Sequence, residues 1–332
     1  MCSGAAVDGQ KSQQRDSSNR REWLAGAATL AAFVGLSSRS QPASSAEPDS
    51  EQPGANKFID AHVHVWTPDV ERYPLGPGFS RADMRPASFT PEELFRQTRP
   101  SGVGRVVLIQ MSYYGFDNRY MLDAIRRHPG VFSGVAVIDE HAGDVRATLR
   151  ELRKQHVRGL RIHPGTQAVE PWLFNDDMGR LWDYGAEEQI AMCALVNPEA
   201  LGPLDRMCQK HPRTTLVIDH FARVGVDGVI REVDLDALCH LARHPQVYVK
   251  VSAFYALGKK KAPYTDLAPM IRRLKEAYGR ERLMWASDCP FQIENGHTYR
   301  DSIDLVLSRL DFLTASDRDW LLKGTAERVF FS

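Results

Sequence analysis

From Phe58 onward, short apolar runs rich in β-branched residues alternate with amphipathic segments, and the alternation repeats eight times. Such runs predict buried strands, and the segments between them predict helices. The predicted strands are Phe58–Trp66, Arg105–Met111, Phe132–Ile138, Arg158–His163, Ile190–Val196, Thr215–His220, Val247–Ser252 and Arg282–Ser287. Eight strand–helix units predict an α/β fold, a single (β/α)8 TIM barrel with an extra C-terminal helix over 316–328. A doubly wound sheet is the alternative, but it usually has a glycine-rich first turn, and none follows Trp66.

Residues 1–50 predict a targeting signal and a disordered linker that are not part of the fold. The pair Arg20-Arg21 precedes a short Ala-rich apolar stretch, Leu24–Leu36, as in a twin-arginine export signal. This stretch is shorter than the roughly 20 residues that a membrane-spanning helix needs. Small residues up to Ala46 predict cleavage there, so we expect an exported, periplasmic or otherwise extracytoplasmic protein with no stable membrane span. An amphipathic helix of the mature protein is the alternative.

Charge and cysteine content exclude several classes of function. Lys+Arg and Asp+Glu both number 42, and no long basic block is present, which argues against a nucleic-acid partner. The 5 cysteines are irregularly spaced and include no CxxC pair, so neither a zinc ribbon nor a disulfide framework is indicated. The expected partner is a small molecule, and the sequence does not indicate an oligomeric state.

Polar residues gather at the C-terminal ends of the predicted strands, where (β/α)8 barrels carry their chemistry. His62 and His64 end the first strand and share one face, so they suit a divalent metal or a substrate carbonyl. Two buried, hydrogen-bonded histidines are the alternative. The other polar strand ends are Gln110, Asn118, Arg161, His163, Asp219, His220, Lys250, Ser252 and Asp288. Because burying many polar groups at one rim costs free energy unless they are paired or liganded, we expect one shared site.

Asp288 is the candidate catalytic base, because a carboxylate beside metal-binding histidines can take a proton from water and later return it. A turn or helix cap before Pro290 is the structural alternative. His220 is a candidate ligand, base or electrophile. Arg161 is a candidate for binding a substrate carboxylate, or for pairing with a structural acid. His163, Gln110 and Asn118 complete the predicted substrate-binding residues, because each lies at the end of a predicted strand or in the loop that follows it.

Four stretches of this sequence follow one another as in the amidohydrolase-related family. They are Ile59–Trp66, Arg158–Arg161, Ile218–His220 and Ala286–Pro290. The resemblance covers about residues 57–331 and is closest to the branch that contains lactonases of 2-pyrone-4,6-dicarboxylate and of sugar acids. It implies a distorted (β/α)8 barrel with hydrolase, and sometimes decarboxylase or hydratase, activity at the C-terminal rim.

The resemblance also implies roles for single residues. His62 and His64 match the family's strand-one pair, His220 its strand-six histidine and Asp288 its strand-eight aspartate. Metal-dependent members add a histidine at the end of strand five, where this sequence has Ile190–Asn197 without one. The lactonase branch includes members that work without metal.

Two states of the site therefore stay open. In one, His62, His64 and Asp288 hold a divalent metal, zinc above all, with help from His220 or His163. In the other, the histidines and Arg161 polarise the substrate carbonyl without a metal.

The predicted function is hydrolysis of a lactone or related cyclic ester of a small sugar or dicarboxylic acid, with water activated by Asp288. A metal-dependent decarboxylase of an unsaturated dicarboxylic acid is the second reading, and the missing strand-five histidine counts against it. A non-catalytic, exported protein that binds a sugar acid is the third.

Overall fold

The computed structural model describes residues 57–332, so the predicted export signal and its cleavage after Ala46 lie outside the described residues. Eight parallel strands follow in chain order: β1 (Phe58–Val63), β2 (Val103–Ile109), β3 (Phe132–Ala136), β4 (Val157–Ile162), β5 (Ala191–Ala194), β6 (Leu216–Ile218), β7 (Val247–Val251) and β8 (Leu283–Trp285). Each strand pairs with the next, and a bridge between Val63 and Cys289 brings the chain after β8 back to β1. The nearly closed sheet confirms the predicted (β/α)8 barrel.

Helices connect the strands and cover the outside of the barrel. They are α1 (Pro91–Thr98), α2 (Arg119–Arg127), α3 (Val145–Lys154), α4 (Val169–Leu173), α5 (Asp176–Glu187), α6 (Leu201–Lys210), α7 (Glu232–His240), α8 (Ala268–Tyr278), α9 (Tyr299–Asp304), α10 (Ala315–Asp319) and α11 (Thr325–Phe330). A π-helical turn, Trp320–Gly324, joins α10 to α11, which together form the predicted C-terminal helix. Within residues 57–332, no helix has both the length and the apolar character needed to cross a bilayer.

The barrel contains two apolar layers. The larger lies between the strands and the helices. The smaller takes alternate residues from the strands and fills the inside of the barrel. Its members are Ile59, Ala61, Val107, Ile109, Val135, Ala191, Cys193, Val217, Met284, Ala286, Ala326 and Phe330. Two of them, Ala326 and Phe330, come from α11, so the C-terminal helix contributes to the barrel interior.

The helix α11 lies across the N-terminal ends of the strands. Near the start of β2, Arg105 pairs with Glu327 at 2.6 Å, and near the start of β4, Arg158 Nε donates to the Ser332 carbonyl at 3.2 Å. This places the buried ring of Phe330 at the bottom of the barrel. We call this end, with Ala326 and Phe330, the floor; the opposite end, where the strands finish, is the rim.

A bulge in β1 sets the direction of the two rim histidines. The register of β1 against β2 shifts between Asp60 and Val63. Ala61 belongs to the inner layer, whereas Val63 belongs to the outer one. Since a bulge restarts the alternation of a strand, His62 and His64 both face the inside of the barrel.

Buried Asp60 stabilises this bulge through hydrogen bonds. One of its oxygens, Oδ1, accepts hydrogen bonds from the backbone N–H of His62 at 3.2 Å and of Ser287 at 2.9 Å. The other, Oδ2, accepts from the Tyr299 hydroxyl at 2.7 Å. Burial raises the pKa of Asp60 to about 6, although these hydrogen bonds oppose the rise. Asp60 thereby connects β1 to the chain after β8, where the barrel closes. We call this junction the seam of the barrel.

Candidate active site

The seam of the barrel brings Asp288 to the two histidines of β1. The Asp288 N–H donates to the His62 carbonyl at 2.9 Å, and the His64 N–H donates to the Cys289 carbonyl at 2.9 Å. Asp288 adopts a left-handed backbone, with φ of 64°, which Asp tolerates better than most residues. The predicted trio His62, His64 and Asp288 therefore lies together at the rim, and all three side chains are buried.

The geometry of this trio fits a metal ion. His62 Nε2 lies 3.3 Å from His64 Nε2, and each of these atoms lies 3.5 Å from Asp288 Oδ1. Three ligands of a tetrahedral zinc ion, with bonds of about 2.0–2.1 Å, would be about 3.3–3.4 Å apart. Among the described residues, this is the one group of three or more His, Cys, Asp or Glu side chains close enough to hold a metal.

Each of the two β1 histidines has a partner on its other ring nitrogen. His64 Nδ1 lies 3.1 Å from the Ile109 carbonyl oxygen. His62 Nδ1 lies 3.2 Å from Lys250 Nζ and 3.5 Å from Asp219 Oδ1. Burial lowers the pKa of both histidines, and for His62 the charge of Lys250 lowers it further. Both rings are therefore neutral at neutral pH.

The third histidine comes from an unusual turn after β6. The predicted strand runs to His220, but β6 ends at Ile218, because residues 220–223 all have positive φ, between 51° and 58°. A left-handed conformation costs about 1–2 kcal/mol for each L-residue, and such strain is concentrated at functional sites. This turn contains no glycine. It gives one turn of left-handed helix from His220 to Arg223, whose side chains both interact with Asp288.

His220 lies beside the trio without joining its metal-binding group. Its ring centroid is 4.3 Å from that of His62, and its Nε2 is 3.8 Å from Asp288 Oδ2. On the other side of the ring, Nδ1 is 2.8 Å from the Ser252 hydroxyl. Burial lowers the pKa of His220, so this ring is also neutral and its Nε2 faces the site.

The two oxygens of Asp288 have different surroundings. Oδ1 faces the β1 histidines, whereas Oδ2 accepts a hydrogen bond of 2.7 Å from the Tyr255 hydroxyl. Burial by itself raises the pKa of Asp288, but the neighbouring histidines, His220 foremost, outweigh it and hold the pKa below its ordinary value. The carboxylate is therefore ionised and available as a base.

Two arginines lie near this carboxylate. Arg161, on β4, is close enough to Asp219 and Asp288 for electrostatic interaction, and burial lowers its pKa. Within residues 57–332, the Arg161 side chain makes neither a hydrogen bond nor an ion pair, and only these longer-range electrostatic interactions reach it. Arg223 also interacts with Asp288 and with Tyr255. An arginine remains charged in proteins, so the rim offers positive charge to an acidic substrate.

Gln110 and Asn118 are engaged with backbone. Gln110 Nε2 donates to the Asp117 carbonyl at 2.7 Å. The Asn118 amide donates to the Val137 carbonyl at 2.8 Å and accepts from the Val137 N–H at 3.0 Å, which ties the loop after β2 to β3. His163 is exposed in the turn after β4 and is not part of the metal-binding group. Substrate binding by these three residues stays a prediction.

The sequence alone does not assign a role to Tyr255 or Arg223. It indicates Lys250 and Asp219 only as polar residues at strand ends. Lys250 and Ser252 had a signal, since they stand two residues apart at the end of an apolar strand. Tyr255 lies in the loop after β7, and its contact with Asp288 spans 33 residues of sequence, which no local pattern reveals.

This chain is similar to known proteins over most of its length. The family described as amidohydrolase matches residues 59–331. The L-fucono-1,5-lactonase of Burkholderia ambifaria is 30% identical over 243 residues, which cover 72% of this chain and 82% of that enzyme. The 2-pyrone-4,6-dicarboxylate hydrolase of Comamonas testosteroni is 28% identical over 258 residues, 74% of this chain and 80% of that enzyme.

A solved structure is also similar to this chain. It comes from Pseudomonas putida, and 2-pyrone-4,6-dicarboxylic acid hydrolase activity is provisionally assigned to it. The TM-score is 0.70 at 27% identity, and the match covers 83% of this chain and 97% of that one. The family match over residues 59–331 includes His62, His220 and Asp288.

Proposed function

Because the chain belongs to the amidohydrolase family, we propose that it is a hydrolase that opens a lactone of a small sugar or dicarboxylic acid. The observation that carries this proposal is the ionised carboxylate of Asp288 among three neutral imidazoles at the rim of the barrel. A base and several polarising groups around one point are what hydrolysis of a cyclic ester requires. The lactone-hydrolysing relatives support the same reaction class.

Asp288 acts as the general base. It takes a proton from water as the water oxygen attacks the lactone carbonyl carbon. When the ring C–O bond breaks, the same carboxyl group returns the proton to the departing oxygen, which becomes the hydroxyl of the product. Such proton transfer contributes about 10²- to 10⁴-fold to the rate.

The Nε2–H of His62 and the ring of His220 stabilise directly the negative charge that develops on the carbonyl oxygen, or His62 and His64 do so by holding a metal. The trio with 3.3–3.5 Å between its ligand atoms fits zinc, with His62, His64 and Asp288 as ligands. When bound, zinc would supply Lewis-acid polarisation of the carbonyl. Neutral imidazoles suit both states, since they can donate a proton in a hydrogen bond or offer a lone pair.

Arg161 binds a carboxylate of the substrate. Its charge is partly buried and faces the side of the barrel that holds Asp288, and a bidentate contact with a carboxylate would neutralise it. Arg223 adds charge from the left-handed turn. This favours a carboxylated lactone over a neutral sugar lactone, although relatives of both kinds are similar to the chain.

The direct test assays the purified full chain against L-fucono-1,5-lactone and 2-pyrone-4,6-dicarboxylate, following acid release, with Asp288→Asn as the inactive control. We expect hydrolysis of one or both. Carbon dioxide release from an unsaturated dicarboxylic acid, without lactone hydrolysis, would instead support the decarboxylase. Binding of a sugar acid without any turnover would support the non-catalytic reading.

A second measurement addresses the metal. Metal content is determined by plasma mass spectrometry, and lactone hydrolysis is assayed before and after chelation. About one zinc per chain with loss of activity on chelation supports a metallohydrolase. Unimpaired hydrolysis without metal places the catalysis on Asp288, the histidines and Arg161.

We also propose that residues 1–50 export the folded chain through a twin-arginine signal. The support is the pair Arg20-Arg21 ahead of the apolar stretch Leu24–Leu36. The change of both arginines to lysine should leave the protein in the cytoplasm as an uncleaved precursor, which cell fractionation and mass measurement would detect. Export of that variant at the normal rate would contradict the proposal.

A further inference from the structure

Lys250 is a fully buried cation behind the histidine trio. It lies on β7, with its ammonium 5.4 Å from the centre of the Phe330 ring on the floor side. On the rim side, Nζ lies 2.9 Å from Asp219 Oδ1 and 3.2 Å from His62 Nδ1. Of these two buried neighbours of His62, one only donates hydrogen bonds and the other, when ionised, only accepts them.

The contact with Lys250 determines which nitrogen of His62 carries the proton. An ammonium group has three donors and no acceptor, so the distance of 3.2 Å suits an unprotonated Nδ1. A protonated Nδ1 would set two donors against each other. Asp219 Oδ1, the acceptor that would favour such a proton, is 3.5 Å away, at the long limit of a hydrogen bond. The single proton of the neutral ring therefore resides on Nε2.

His64 completes the arrangement. A carbonyl oxygen cannot donate, so His64 Nδ1 carries a proton and donates it to Ile109 at 3.1 Å. His64 Nε2 is then unprotonated and accepts from His62 Nε2–H at 3.3 Å. A continuous chain of donors runs from Lys250 through His62 and His64 to Ile109, and every ring nitrogen in it has a partner without a metal ion.

We propose that Lys250 opposes metal binding at the trio by keeping the proton of His62 on Nε2, the atom that a metal would require. Metal binding needs this proton on Nδ1, where Asp219 would accept it in the usual carboxylate–histidine–metal arrangement. The two buried side chains thus favour opposite states of the same ring. The inference rests on the metal-binding trio of the proposed function and is independent of the lactone.

The first test locates the proton in the metal-stripped full chain, with its histidine side chains labelled with ¹⁵N. Long-range ¹⁵N–¹H correlations identify the protonated ring nitrogen, and the signal lost in His62→Gln assigns His62. We expect His62 to be protonated on Nε2, and Lys250→Met to move the proton to Nδ1. A proton on Nδ1 of His62 in the wild-type protein would overturn the proposal.

The second test measures zinc affinity by competition with a chromophoric chelator, in the absence of substrate. Lys250→Met should bind zinc about 10- to 100-fold more tightly than the wild type, the size of effect that partners of metal ligands usually have. Lys323→Met, on the C-terminal helix, is the matched control and should not change the affinity. Equal or weaker binding by Lys250→Met would overturn the proposal.

Removing Lys250 alone leaves Asp219 as a buried, unpaired charge, which is strongly destabilising. If Lys250→Met fails to fold, the double variant Lys250→Met/Asp219→Asn removes both charges and keeps an oxygen that can accept from His62 Nδ1. Zinc should again bind more tightly than in the wild type, and unchanged affinity would overturn the proposal. Because neither test uses a substrate, a failure of lactone hydrolysis cannot be confused with a failure of this inference.

Discussion

The two ends of the barrel are built from the same strands but solve different problems. At the floor, Ala326 and Phe330 bring apolar side chains from a regular helix into the inner layer. At the rim, the inner positions are taken by ionisable side chains, and Asp288 and the turn from His220 adopt left-handed backbones. Apolar burial stabilises a fold, whereas buried charge and strain cost free energy. Apolar burial at the floor therefore offsets part of the free energy that buried charge and backbone strain cost at the rim.

Lys250 lies where these two regions meet. Its ammonium contacts the Phe330 ring on one side and Asp219 on the other. We therefore expect substitutions at the rim to reduce activity more than stability. Substitutions at the floor should reduce stability more than activity.

The largest effect should come from Asp288→Asn. The amide cannot take a proton from water, so kcat for lactone hydrolysis should fall by about 10²- to 10⁴-fold. Stability should fall only modestly, because the amide keeps the size of the side chain and an oxygen that can accept from the Tyr255 hydroxyl, although it gives up the attraction between the carboxylate and the histidines; thermal unfolding followed by circular dichroism measures this. Asp311→Asn, at a side chain that is 93% exposed, is the matched control for kinetics and stability. Unchanged turnover in Asp288→Asn would remove the proposed base.

At the floor, Phe330→Ala should show the opposite profile. Loss of a buried aromatic ring costs about 3–5 kcal/mol of the free energy of unfolding, which denaturant titration measures. Turnover per folded molecule should stay close to that of the wild type. Phe116→Ala removes the same ring from a side chain that is 59% exposed and should change stability by less than about 0.5 kcal/mol. A variant of Phe330 that is stable but inactive would break the division between floor and rim.

The sequence predicts the strands and the residues of the rim, but it does not predict the bulge in β1. Apolar runs such as Val103–Ile109 identify strands, and the polar residues that end them, His62, His220 and Asp288, identify the rim, because both signals are local. The bulge beside Asp60 depends on Ser287, which lies 227 residues away in sequence. No local pattern contains that contact.

The left-handed turn is also hidden from sequence. Positive φ is usually signalled by glycine or asparagine, and His220-Phe221-Ala222-Arg223 contains neither. Tertiary packing holds all four residues in this conformation, and Phe221 and Ala222 are fully buried. For this reason the strand predicted from sequence runs to His220, whereas β6 ends at Ile218.

A third substitution sharpens the account of the rim by separating binding from chemistry. Arg161→Met should raise KM for a carboxylated lactone by roughly 10- to 100-fold, since hydrogen bonds to charged groups contribute about 1.5–3 kcal/mol. The kcat value should change little, and stability should be equal or greater, because a partly buried charge is replaced by an apolar chain. A neutral sugar lactone serves as the control substrate. An equal loss with both lactones would contradict carboxylate binding by Arg161.

The smallest effect should come from Tyr255→Phe, which removes one hydroxyl from Asp288 Oδ2. The hydrogen bond stabilises the ionised carboxylate, so it lowers the pKa of Asp288, and its loss should raise that pKa. The acid limb of the kcat/KM profile should therefore move to higher pH, and kcat should fall by roughly 2- to 10-fold, in line with about 0.5–1.5 kcal/mol for one hydrogen bond. Tyr248→Phe removes a hydroxyl from β7 that makes no hydrogen bond to Asp288, and it is the control. If the acid limb stays in place while kcat falls, Tyr255 acts on the substrate and not through the base.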